Sequence, residues 1–183
     1  LIVEKINLRS PQRGEIEVKI GAVAVCHSDI SYSEGAWGGT LPAVYGHEAA
    51  GQITALGDSV DRFTIGDRVV VTLIRSCGQC NSCGSGKPTI CETYVDTTKG
   101  PITTADGSTL EQGMNCGAFA EKVVVDQSQV VKIPDYIDYE VASLLACGVV
   151  TGIGAVVNAA QIRPGQDVVV IGAGGVGLNT IQG

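Results

Sequence analysis

The chain has 183 residues, 44% of them hydrophobic and 17% charged, with a formal net charge of −7; it is long enough to bury a real core and too apolar for a disordered segment. The acidic balance excludes the basic surface that nucleic acid binding requires, so no nucleic acid partner is expected. No apolar run is read as long enough to cross a bilayer uninterrupted, and Leu1-Ile2-Val3-Glu4-Lys5 carries no signal-peptide pattern, so no membrane partner and a cytoplasmic setting are expected.

The first predicted strand spans residues 15–25, which alternate imperfectly and are rich in Val and Ile. Residues 48–56 and 67–73 read the same way, with Gly57-Asp58 and Gly66-Asp67 as turns. Residues 119–125 and 129–133 add two more strands. No long helix is read before residue 135, so residues 1–138 are expected to form a compact β-rich domain. After Pro134 the texture changes. Residues 139–145 have helical apolar spacing and 151–160 are rich in Ala and Val, which predicts two helices. Pro164-Gly165 marks a turn before 168–171, a short apolar strand, and Gly172-Ala173-Gly174-Gly175-Val176-Gly177 follows as a loop opening a helix. Residues 139–183 are therefore expected to hold connecting helices and the first β-α segment of a nucleotide-binding α/β domain. The chain lacks an initiator Met and stops just after this signature begins, which is read as a portion of a longer protein, inactive by itself.

Seven cysteines in a chain of this kind favour metal over disulfides, and an odd number leaves at least one outside any disulfide set. Cys77, Cys80, Cys83 and Cys91 fall within one short stretch. Two-residue spacers let neighbouring thiolates share a tetrahedral zinc ion, and with four protein ligands the site would be closed and structural. Two disulfides, free thiols or an iron–sulfur cluster are the alternatives. Cys26, His47 and Cys147 lie far apart in sequence; spacing alone leaves open whether they share a metal or are a buried thiol, a structural histidine and another thiol. Cys116, near a strand start, reads as a buried free thiol.

Cys26-His27-Ser28-Asp29, Gly46-His47-Glu48, the four-cysteine stretch, Cys147-Gly148-Val149-Val150-Thr151-Gly152 and the 172–177 signature occur in that order. Through nearly its whole length the chain resembles the zinc-dependent medium-chain alcohol dehydrogenases. The resemblance implies a mainly β, GroES-like β-barrel domain carrying a zinc lobe, then the start of a Rossmann domain. It implies two zinc ions per chain, the catalytic one held by Cys26, His47 and Cys147 with the fourth place open, as chemistry at zinc requires. Ser28 matches the family's hydroxyl that bonds the substrate oxygen and starts proton removal. Asp29 and Glu48 match carboxylates that stand behind the ligands and orient them. His27 stands where relatives carry a basic residue toward the cofactor phosphates, Ser31 where many carry a relay histidine, and Trp37 where relatives line the substrate pocket.

The glycine signature follows an apolar strand pattern and precedes a helix, the context a dinucleotide fingerprint needs. Gly172 permits the tight turn, Gly174 and Gly175 the approach of pyrophosphate, and Gly177 close helix–strand packing. Thr151 matches a residue near the nicotinamide in the family. The acidic residue that separates NAD from NADP belongs about 20 residues further on, so the cofactor is read as NAD or NADP. The resemblance implies hydride transfer from a primary or secondary alcohol, with a lean to aryl alcohols, and a homodimeric or homotetrameric full-length protein. The competing reading is a zinc-stabilised scaffold or binding module without catalysis. A zinc-free reductase of the same superfamily is a third, opposed by the complete ligand set.

Overall fold

A computed structural model describes residues 1–183, Thr98 excepted. Five antiparallel strands form the main sheet: β1 (Glu15–Ala24), β2 (Glu48–Leu56), β3 (Arg68–Thr72), β4 (Lys122–Asp126) and β5 (Val130–Lys132), in spatial order β4-β1-β2-β3-β5. All five expected strands of residues 1–138 are present, and β2 has the bounds expected of it. The chain is mainly β, and its helices are α1 (His27–Ser33), α2 (Tyr139–Leu144), α3 (Val150–Gly154) and α4 (Gly175–Gln182), besides a helical turn at Asn81–Gly84.

Alternation along the strands sorts the two faces. Ala49, Ile53, Val69 and Val71 join Ile16, Val18, Phe63, Cys116 and Val123 in the main core, whereas Ala50 and Val70 face a second, smaller cluster with Ala142 and Ala146. The second cluster is where the helical segment docks. At the strand start, Glu15 accepts both guanidinium nitrogens of Arg9, at 2.5 and 2.8 Å, and the amide of Gln12 at 2.7 Å. Burial opposes the Glu15 charge, but these bonds outweigh it and hold the carboxyl below its usual range. A depressed folded-state value stabilises fully above the unfolded carboxyl's range and is lost as pH falls through the folded one. Glu15→Gln is therefore expected to cost about 1 kcal/mol at pH 7, and the difference from the parent in urea midpoint should vanish in acid.

Two expectations about the C-terminal part are corrected. Residues 168–171 do not form a strand: Val169 and Ile171 are exposed and, among the described residues, no neighbouring strand pairs with them. An apolar run becomes a parallel strand only when another strand supplies its hydrogen-bond partners. The two predicted helices are one continuous run, Tyr139–Ala160, of 22 residues and mean hydropathy 1.9, which by length and composition is enough to cross a membrane. The sequence pattern leaves residues 146–150, with Gly148 among them, between the two expected helices. The backbone instead carries through by widening into π-helical turns at Leu145–Val149 and Ala155–Ala160. Ala142, Ser143, Ala146 and Gly152 of this run are buried within the protein. Gly152 is required for close crossing, since a Cβ there would lie 2.6 Å from Cβ of Asn179 on α4.

Candidate metal centres

Cys77, Cys80, Cys83 and Cys91 converge in the lobe that follows β3. Their sulfurs all lie within 4.8 Å of one another, with Cys77–Cys83 at 4.0 Å and Cys80–Cys91 at 3.9 Å. A disulfide needs about 2.05 Å. A tetrahedron with metal–sulfur bonds of about 2.3 Å has edges of about 3.8 Å, so the observed spacing fits one shared ion and excludes the disulfide alternative for this arrangement. The protonation pattern agrees. Hydrogen bonds from Thr93 and the amides of Gln79 and Cys80 pull the Cys77 thiol down to about 6, while burial and the neighbouring thiols push Cys83 up to about 12. Four thiolates this close together would repel one another, and a shared cation relieves that repulsion.

The second site is assembled from three distant stretches. Cys26 caps the N-terminus of α1, His47 immediately precedes β2, and Cys147 sits in the π-helical turn Leu145–Val149. Their donor atoms, together with an oxygen of Glu48, all lie within 4.8 Å of one another. Gly46 makes the turn into β2: its φ is +94°, and a Cβ would lie 2.6 Å from the Phe119 amide nitrogen. Asp29, 4% exposed, locks the site from behind. One oxygen accepts the Cys26 amide at 3.0 Å, and the other takes the Gly46 amide at 3.0 Å and faces His47 Nδ1 at 3.2 Å. Burial opposes the Asp29 charge, yet these bonds hold its carboxyl below the usual range. A carboxylate against Nδ1 selects the tautomer with the proton there and frees Nε2 for a metal. Burial, then the charge of Glu48, pushes the Cys147 thiol up to about 11, so ionising it also calls for a cation. Both donor sets, by chemistry and spacing, fit zinc.

Asp29 thus stands behind the Cys26 and His47 donors, whereas Glu48 stands among the donor atoms. Glu48 begins β2 on the same face as Ala50, toward the docked helix, and its Oε2 also accepts the Gly148 amide at 3.3 Å. Period-two alternation carried that signal in the sequence. One further link, from Thr72 Oγ1 to the Ala146 carbonyl at 3.1 Å, joins the Gly148–Glu48 bond in tying the helix to the sheet beside Cys147, and neither has a sequence signature. The Cys26 thiol reaches Ser28 Oγ at 3.5 Å, which puts that hydroxyl beside the donor set. Ser31 is buried, His27 is exposed, and Trp37 is exposed with its ring edge-on to Tyr32 at 5.5 Å. Cys116 is fully buried and its thiol is pushed up to about 12, an inert buried thiol as expected.

At the glycine signature, α4 begins at Gly175 with Gly174 as its cap, and Gly172 has φ +105°. A Cβ on Gly177 would lie 1.9 Å from the Gly172 carbonyl oxygen, so only glycine lets the helix close on the preceding loop. Around Gly174 and Gly175 a Cβ would meet nothing within 4 Å, leaving the backbone open to a ligand. Thr151 is exposed one helical turn past Cys147, its hydroxyl 4.0 Å from that sulfur.

Residues 12–135 match the alcohol dehydrogenase GroES-like domain family. Alcohol dehydrogenase B of Mycobacterium tuberculosis is 40% identical over 191 residues, covering 99% of this chain and 50% of that protein. The structure is similar to benzyl alcohol dehydrogenase of Acinetobacter calcoaceticus, with a TM-score of 0.84 and 32% identity over 95% of this chain and 49% of that one. It is also similar to acetophenone reductase of Geotrichum candidum in complex with NAD, with a TM-score of 0.79 and 26% identity over 96% and 48%. The chain spans about half the length of the curated relatives it matches. With its domain match, its relatives and its two zinc-compatible donor sets in agreement, the chain belongs to the zinc-dependent medium-chain alcohol dehydrogenase family and carries its GroES-like domain.

Proposed function

We propose that this chain supplies the metal-binding catalytic part of an alcohol dehydrogenase that transfers hydride between a primary or secondary alcohol, aryl alcohols included, and NAD(P). The observation that carries this is the convergence of Cys26, His47 and Cys147, from three distant stretches, on one centre. Cys26, His47 and Cys147 would hold a zinc ion there, which would supply Lewis acidity toward an alcohol or carbonyl oxygen. Ser28 can accept the proton of a substrate hydroxyl and pass it on, since one hydroxyl both accepts and donates. Asp29 holds His47 and Cys26 in place, and Glu48 keeps an oxygen within reach of the same centre. The open backbone at Gly174 and Gly175, at the positive end of α4, suits the cofactor pyrophosphate, and Thr151, exposed with its hydroxyl 4.0 Å from the Cys147 sulfur, stands beside the metal site. The aryl lean is supported by the benzyl alcohol and acetophenone enzymes among the similar structures.

In this reading residues 1–138 form the metal-binding domain and 139–183 lead into the nucleotide domain. The seven unpaired thiols support a reducing, cytoplasmic setting, and the family resemblance supports a homodimer or homotetramer. Elemental analysis tests the site directly. The chain should hold two zinc ions and Cys147→Ser one, with the lobe zinc retained. A parent chain with a single zinc ion would favour the scaffold reading.

A further inference from the structure

We propose that Arg68 and Tyr139 form a positioning clamp that sets where the Tyr139–Ala160 helix docks on the sheet, and through it the place of the Cys147 sulfur. The inference rests on the metal-site reading above. Cys26 and His47 are already tied to each other through Asp29. Cys147 arrives on a different element, over a small apolar cluster whose buried members are Ala50, Val70, Ala142 and Ala146, with Ile133, Ile137, Tyr139 and Leu145 partly buried against it. Three of the four buried members are alanine, so fixing the register falls to the larger side chains at the cluster's edge, Tyr139 among them.

The fixed point lies at the helix start. The Tyr139 ring occupies the space that Gly21 leaves on β1, where a Cβ would lie 2.3 Å from the ring. The Arg68 guanidinium covers the other side, 4.0 Å from the ring centre, and its Nη2 donates to the Ile137 carbonyl at 2.6 Å. Arg68 Nε is buried without a partner in the structure, so the guanidinium is kept here at a desolvation cost that a plain apolar filler would avoid. Arg68, Val70 and Thr72 lie on one face of β3. They meet the helical segment in sequence: Arg68 at Ile137 and Tyr139, Val70 in the cluster with Ala142 and Ala146, and Thr72 at the Ala146 carbonyl. The helix therefore runs along β3 as along a ruler, with Cys147 eight residues, about 12 Å, from the clamp. A slip of one residue shifts the helix by about 1.5 Å along its axis and turns it by about 100°, whereas a zinc site tolerates about 0.2 Å.

Cobalt(II) loaded into the 183-residue chain, read by its visible ligand-field bands and by competition with a chelator, tests the clamp. Tyr139→Ala and Arg68→Met should each weaken cobalt at the Cys26/His47/Cys147 site roughly tenfold and shift its bands, with the bands and affinity of the four-thiolate lobe unchanged. Tyr139→Phe keeps the ring and should match the parent. Parent affinity and bands in both Tyr139→Ala and Arg68→Met overturn the clamp, as does loss of lobe cobalt in step with the other site, the mark of general unfolding. If Tyr139→Ala fails to fold, Arg68→Met decides. A parent chain that takes up only one cobalt ion would remove the site itself, a failure distinct from that of the clamp.

Discussion

Replacing Cys80 with serine is expected to unfold the 77–91 lobe while the five-stranded sheet stays folded. Little else holds it: none of residues 77–91 is buried, so it has no apolar core. Its order comes from backbone turns, the four sulfurs and the exposed Glu92 carboxylate, which accepts the Ser82 amide at 3.1 Å and its hydroxyl at 2.5 Å. Cys80 caps the Asn81–Gly84 turn by accepting the Cys83 amide at 3.4 Å, Cys77 accepts the Cys80 amide at 3.3 Å, and Cys91 accepts the Cys77 amide at 3.3 Å. These bonds point N–H groups at sulfurs, an arrangement that favours thiolate and hence metal. In small zinc modules the metal contributes on the order of 10 kcal/mol to folding, far more than a few turn hydrogen bonds supply. Hydrogen exchange followed by mass spectrometry should show lobe amides exchanging at least about a hundredfold faster in Cys80→Ser, equivalent to about 2.7 kcal/mol. Strand amides should be unaffected, and one zinc ion of two should be lost. Lobe exchange unchanged from the parent would mean that the sulfurs are not what orders it.

The lobe was legible because its ligands are local: a two-residue spacer already brings sulfurs together. The sheet was legible because a strand with one face in the main core, such as β2, writes its alternation directly into the sequence. Where partners are distant the signal fades. Residues 168–171 have the apolar content of a buried strand, but strand formation depends on neighbours elsewhere in the chain, and content alone cannot report them. Helix α1 escaped notice because it has only seven residues and presents no apolar stripe; its one cue was Asp29 at the third helical position, reaching back to the Cys26 amide. The π-helical turn that presents Cys147 left no pattern at all, since widening one turn changes hydrogen bonding and not composition. Cys26, His47 and Cys147 became a set only through resemblance, because bringing them together requires the helix–sheet docking that Gly21, Arg68 and Tyr139 make.

Asp29→Asn should separate the two metal centres by weakening only one. The substitution keeps size and shape but leaves a single acceptor oxygen where two now serve three groups: the Cys26 amide on one side, the Gly46 amide and His47 Nδ1 on the other. Whichever way the amide turns, its NH₂ faces a backbone N–H, so at least one buried donor loses its partner. That costs about 1–3 kcal/mol of stability, measurable as a lower urea midpoint. The loss also removes the negative charge that fixes the His47 tautomer. Carboxylates in this position typically account for 10–100-fold in metal affinity, about 1.4–2.7 kcal/mol. The lobe draws on none of these bonds, so its zinc should bind as before. Competition with a chromogenic chelator should therefore resolve one weakened and one unchanged ion. Parent affinity at both would show that the backbone alone, through Gly46 and the cap at Cys26, is enough to hold His47 and Cys26 toward the metal, and that the buried charge of Asp29 contributes stability without tuning the site.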